Sequence, residues 1–214
     1  MVKTAIITIL ILGNSQTAGN MGMLLETYYR DHGIQVHREA ASGKGVNYFL
    51  SATRPINKGT FTNNNIDFSD EVLMFSRQRN RIKDFLKMGV DYIIFASLGG
   101  NDAYSGCCNT ILNKRKMINK YRKLFKQLCS YNTVVIFNGS PPANIKKWPK
   151  FDKRRKILDQ IQDEAAIGTC VIRNSVRSLK IPSDEDGYHY NDSAKLYVEY
   201  LLKLSGMNLP ILEK

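Results

Sequence analysis

The stretch Thr4-Ala-Ile-Ile-Thr-Ile-Leu-Ile-Leu-Gly-Asn-Ser15 decides how this chain folds. From Thr4 to Leu12 it is unbroken in apolar and β-branched residues. A parallel strand covered on both faces reads this way, and the run is too short for a core helix. Met1-Val-Lys3 ahead of it gives a superficial likeness to a secretion leader. The apolar core is short for that role, however, and no small-residue cleavage site separates it from Gly13. Thr17–His32 then carries Met21, Leu24, Leu25 and Tyr28 at three- and four-residue spacing, with Gly33 as a stop, which predicts a helix. A buried strand, a tight turn and a helix therefore open the chain.

The same alternation continues to the end. Strands are expected at Ile34–Arg38, Tyr92–Leu98, Thr133–Asn138 and Cys170–Arg173. Helices are expected at Ser69–Met88, Ile111–Leu128, Lys150–Ala166 and Asp192–Leu204, and Lys58–Asp67 reads as a polar loop. Strands separated by helices of this length require right-handed crossovers and a parallel sheet. The expectation is a single-domain three-layer α/β/α sandwich, flavodoxin-like, with about five parallel strands and helices on both faces. No repeat and no Pro- or Gly-rich linker divides the 214 residues.

Composition narrows the class. Hydrophobic residues make up 43% and charged residues 23%, which excludes a disordered chain. No stretch approaches the roughly 20 apolar residues of a membrane span. Without an evident leader, a cytoplasmic or virion-associated protein is favoured. Cys107, Cys108, Cys129 and Cys170 show no C-x-x-C spacing, and a vicinal pair makes a poor disulfide framework, so free thiols are expected. The net charge is +12, and residues 114–156 alone hold fourteen Lys or Arg against one acid, Asp152. The positive excess thus belongs to one region.

Ligands of open α/β sheets collect beyond the carboxyl ends of the strands. Ser15, Gly43, Asn101 and His189 all fall on that rim in this reading. Each alone is ordinary turn chemistry, but their common placement is not. His32 and His37 read as structural. The spacing of Gly13, Gly19 and Gly22 is not a dinucleotide fingerprint, no P-loop or G-x-S-x-G elbow is present, and three scattered histidines give no zinc site.

Gly13-Asn14-Ser15, Ala41-Ser42-Gly43, Gly99-Gly100-Asn101-Asp102 and Asp186-Gly187-Tyr188-His189 stand in the order of the conserved blocks of one family. The chain resembles the SGNH (GDSL-like) hydrolases along nearly its whole length, as one domain over 1–214. Asn14 departs from the usual aspartate of the first block, and Pro141-Pro142 resembles a further feature of many members. The resemblance implies a cofactor-free, serine-dependent carboxylic ester hydrolase. Ser15 would be the nucleophile, His189 the base and Asp186 the residue orienting it. The Ser15 and Gly43 N–H groups and the Asn101 amide would form the oxyanion hole. Asp102 is expected to brace the Asn101 turn, with Asp184 and Glu185 as weaker competitors of Asp186. Asn14 should tune the turn, and Ser15 could also cap the first helix.

The basic segment suggests what is hydrolysed. Lys146 and Lys147 precede Trp148 after the fourth strand, and Tyr190 follows His189. These four would bind an anionic substrate, the lysines by charge and the rings by stacking on a sugar. Acetyl or short acyl groups on an anionic carbohydrate or polysaccharide are the expected esters, with a solvated lysine-rich helix face as the bland reading. Nucleic acid is not favoured, because no recognised binding motif accompanies the charge. The alternative is a non-catalytic carbohydrate- or anion-binding module that keeps the fold without turnover.

Overall fold

A computed structural model describes residues 7–50, 86–87, 89–105, 110–176 and 178–204. The opening run becomes β1 (Thr8–Gly13), whose residues Ile9 to Leu12 are wholly buried. Around it lie β2 (Gln35–Ala40), β3 (Tyr92–Ser97), β4 (Val134–Asn138) and β5 (Val171–Asn174). The sheet order is β2-β1-β3-β4-β5 and every pairing is parallel. The three-layer, flavodoxin-like arrangement expected from the alternation is present.

Helices cover both faces, and strand alternation decides which residues each face presents. Leu10, Leu12, Ile93, Phe95, Val135 and Phe137 pack beneath α3 (Val46–Leu50), α5 (Ile111–Cys129) and α6 (Pro149–Ala166). Ile9, Ile11, Ile94, Ala96 and Ile136 face α2 (Asn20–Asp31) and α7 (Ala194–Leu204). On α5 the buried set Met117, Tyr121, Leu124, Phe125 and Leu128 follows helical spacing. Each such side chain contributes roughly 1.5–3 kcal/mol by leaving water.

The helix expected at Thr17–His32 is two pieces. α1 (Ser15–Ala18) ends at Gly19, which is extended, and α2 restarts from it. α4 (Gly100–Tyr104) and α3 are too short to show a period in sequence. β2 runs past its expected end, pairing with β1 as far as Gly13 with Ala40, and Arg38 and Glu39 are buried in it. Arg38 Nε donates to Glu26 Oε2 at 2.6 Å, which pins α2 to β2. The expected helix Ser69–Met88 lies outside the described residues save for Leu86 and Lys87, as do the Lys58–Asp67 loop and Cys107-Cys108.

Free thiols were the wrong expectation for the other two cysteines. Cys129, closing α5, is disulfide-bonded to Cys170 just before β5. They lie 41 positions apart in sequence, so no short motif marks the pair. Among the described residues no helix is long and apolar enough to cross a membrane, and no His, Cys, Asp or Glu group could hold a metal ion.

Candidate active site

Ser15 opens α1 directly beyond the carboxyl end of β1. The cap is Asn14 rather than Ser15: its side-chain oxygen accepts from the Gln16 N–H at 3.1 Å. That leaves the Ser15 hydroxyl available, and the His189 ring nitrogen Nε2 lies 3.1 Å from it. The other ring nitrogen, Nδ1, lies 2.5 Å from Asp186 Oδ2.

Asp186 is held as well as placed. Its Oδ1 accepts the backbone N–H groups of Tyr188 at 2.7 Å and His189 at 2.9 Å. Partial burial pushes its pKa up, but the hydrogen bonds from His189 and from these amides outweigh that and hold the carboxyl below its ordinary range. An ionised carboxylate can only accept, so Nδ1 carries the hydrogen and Nε2 is left to accept from Ser15 Oγ. Asp184 serves the loop instead, accepting from the Asn191 and Asp192 N–H groups at 2.9 and 3.1 Å.

Three rim loops converge on the serine. Gly43 sits in the left-handed region at φ +71°, a conformation that suits glycine. Asn101, in the first turn of α4, donates from Nδ2 to the Lys44 carbonyl at 3.0 Å and so ties the two loops together. Asp102 braces them from below. Its carboxylate accepts from the Val46 N–H at 3.1 Å and the Tyr121 hydroxyl at 2.8 Å, and burial raises its pKa despite these bonds.

Ser15, Gly43, Asn101, Asp186 and His189 all line one cleft of about 300 Å³. Trp148 lines it too, its Nε1 donating to the Asp186 carbonyl at 2.8 Å. Tyr190 does not reach it. Its ring is 3% exposed against Tyr197, and its hydroxyl donates to the Pro142 carbonyl. The residue after His189 points inward because the chain there turns toward α7, so the stacking role expected of Tyr190 is withdrawn. Lys146 and Lys147 are exposed but are not lining residues, and the Lys147 ammonium donates to the Glu185 carbonyl.

The sequence reading missed Tyr104, Phe151 and Tyr188, which complete the wall. Tyr188 sat inside Asp-x-x-His and Tyr104 three residues after Asn101, so rim position was the available signal. Tyr188 also explains Gly100, where a Cβ would stand 1.9 Å from the Tyr188 hydroxyl.

No protein-family model matches the chain, and no curated protein matches it. Solved structures do. TesA is 14% identical with TM-score 0.57, over 92% of this chain and 99% of that one. EstA, a psychrotrophic esterase from Pseudoalteromonas sp., is 16% identical with TM-score 0.57, over 95% and 98%. Axe2, an acetylxylan esterase from Geobacillus stearothermophilus, is 13% identical with TM-score 0.61 in one catalytic mutant, over 94% of each chain. Catalytic mutants of Axe2 replace a serine, an aspartate or a histidine by alanine. The chain has the three-layer α/β fold of these structures.

Proposed function

We propose that the chain is a serine-dependent carboxylic ester hydrolase of the SGNH type, formed by one domain. The observation that carries this is His189, which spans Ser15 Oγ at 3.1 Å and Asp186 Oδ2 at 2.5 Å. Nucleophile, base and orienting group in that chain of contacts are what acyl transfer through a serine requires.

In this reading Ser15 Oγ attacks the ester carbonyl while His189 Nε2 takes its proton. The tetrahedral oxyanion sits against the Ser15 and Gly43 N–H groups and the Asn101 amide. Asn101 Nδ2 carries two hydrogens, and its bond to Lys44 uses only one. His189 returns the proton to the departing alkoxide, leaving an acyl-serine. Water, deprotonated by His189, then releases the carboxylic acid and restores Ser15.

A cleft of about 300 Å³ lies at the small end for ligand sites, which favours acetyl and short acyl groups. Trp148 gives a sugar a stacking face, and Lys146 and Lys147 nearby favour an anionic one. The likeness to an acetylxylan esterase supports the same substrate class. Hydrolysis of p-nitrophenyl acetate by the wild type and not by Ser15→Ala is the expected result. Equal rates from both, together with failure on bulkier acyl esters and acetylated sugars, would leave a non-catalytic binding module.

A further inference from the structure

Ten large apolar side chains stand exposed among the described residues, and five share one end of the molecule. Tyr104 (66% exposed) and Trp148 meet edge to face at 6.0 Å at the cleft. Ile145 (59%) lies three residues before Trp148 in the loop after β4. Ile111 (73%) and Leu112 (61%) open α5, which follows β3 and so starts at the same carboxyl rim.

α5 runs from that rim toward the amino ends of the strands. Its far end is bonded through Cys129 to Cys170 before β5, on the opposite edge of the sheet. Tyr121, midway along, meets Asp102 just beyond β3. Ile111 lies ten residues earlier, about 15 Å further along the axis at 1.5 Å per residue. Its first turns therefore lie toward the carboxyl end of the sheet.

These apolar residues are set among cations. Lys114, Arg115 and Lys116 share its first two turns, Lys146 and Lys147 follow Ile145, and Lys150 lies in the first turn of α6. The exposed acids of this rim, Glu185, Asp186 and Asp192, all lie on the 184–192 loop, which is bonded to the 144–148 loop through Lys147 and Trp148. Clustered apolar side chains ringed by charge mark an interaction surface.

We propose that this rim docks the protein on an anionic lipid–water interface. Aliphatic Ile111, Leu112 and Ile145 suit the acyl boundary, where Trp and Tyr rings also settle, and the cations suit acidic headgroups. A polysaccharide would use the two rings but gains little from bare aliphatic side chains. Docking would hold the cleft mouth against a surface that carries esters. Docking shares Tyr104 and Trp148 with the cleft wall but does not require Ser15, so vesicle binding can be read separately from ester hydrolysis.

The test is co-sedimentation of the full chain with vesicles of phosphatidylserine in phosphatidylcholine, and with phosphatidylcholine alone. Wild type and Ser15→Ala should bind the acidic vesicles equally, weakly the neutral ones, and less as salt rises. Ile111→Ser with Leu112→Ser, and separately Arg115→Glu with Lys116→Glu, should each weaken binding about tenfold or more at unchanged Tm. No binding by the wild type overturns the proposal, as does binding that the Ile111/Leu112 pair does not affect. Retention by an acidic polysaccharide without vesicle binding overturns it in favour of a glycan. Self-association abolished by Ile111→Ser with Leu112→Ser, again without vesicle binding, overturns it in favour of a second copy of the chain.

Discussion

Gln16 Nε2 donates to the Tyr188 carbonyl at 2.7 Å, joining positions 172 residues apart in sequence. Gln16 is buried and follows Ser15, and Tyr188 precedes His189. The bond therefore sets the distance between the α1 turn and the Asp186–His189 loop. Replacing Gln16 by Leu keeps the volume and removes the donor, leaving a carbonyl without its partner. We expect a stability loss of about 1–3 kcal/mol by thermal unfolding. The larger effect should be on kcat, with KM little changed, because Gln16 positions the pair without touching substrate. An equal rise in KM would mean that the cleft itself had collapsed.

Asp186→Asn tests the orienting role. An amide can face Nδ1 with its own hydrogens and so favours the wrong imidazole tautomer. A buried orienting aspartate costs about 10⁴ in kcat when replaced this way. Asp186 is half-exposed, so water softens the effect, and roughly 10²–10³ is expected on p-nitrophenyl acetate. The same variant carries a pH signature. The folded carboxyl is held below its unfolded pKa of about 3.9. Its contribution to stability is thus fully present above that value and lost as pH falls through the folded pKa. The Tm gap between wild type and Asp186→Asn should stay constant above about pH 5 and close only in stronger acid. A gap that closed at neutral pH would refute the assignment.

Gly43→Ala separates backbone geometry from space. Nothing lies within 4 Å of a Cβ built at Gly43, so no clash arises, but φ is +71°. Holding alanine there costs about 1–2 kcal/mol. The chain can relieve this strain by turning the Gly43 N–H away from the cleft. Acyl transfer should then slow by about 10²-fold or more in kcat, the measure of one lost oxyanion donor. A variant that loses stability but keeps full kcat would remove Gly43 from the oxyanion hole.

Gly100→Ala poses the opposite problem. Its Cβ would stand 1.9 Å from the Tyr188 hydroxyl, and overpacking of this kind typically costs about 1–3 kcal/mol. Tyr188→Phe removes the offending oxygen. The double variant should recover part of the loss by urea unfolding, a coupling that independent sites would not show.

These relationships show what the sequence could and could not disclose. β1, β3 and β4 were readable because covered parallel strands write continuous apolar runs. The candidate blocks Gly99–Asp102 and Asp186–His189 were readable because the spacing within one loop is local: Asp186 reaches His189 without crossing the fold. Gln16 with Tyr188, Glu26 with Arg38 and Cys129 with Cys170 depend on long-range packing, which no local period records. Tyr190 failed for the related reason that one residue of turn decides between cleft and core. The α1 break at Gly19 was hidden inside a longer helical period that runs on through α2.

The Cys129–Cys170 bond makes a closed ring of the chain between them, with β4, the Trp148 loop and α6 inside it. Closing a loop of that length removes freedom from the unfolded chain amounting to about 4 kcal/mol. It also changes what a cut would mean. A protease that nicked the exposed 144–148 stretch would open the ring without releasing either piece. Ser15 and His189 would remain in one covalent molecule, on segments tethered at the far edge of the sheet. Only reduction after nicking would let them part.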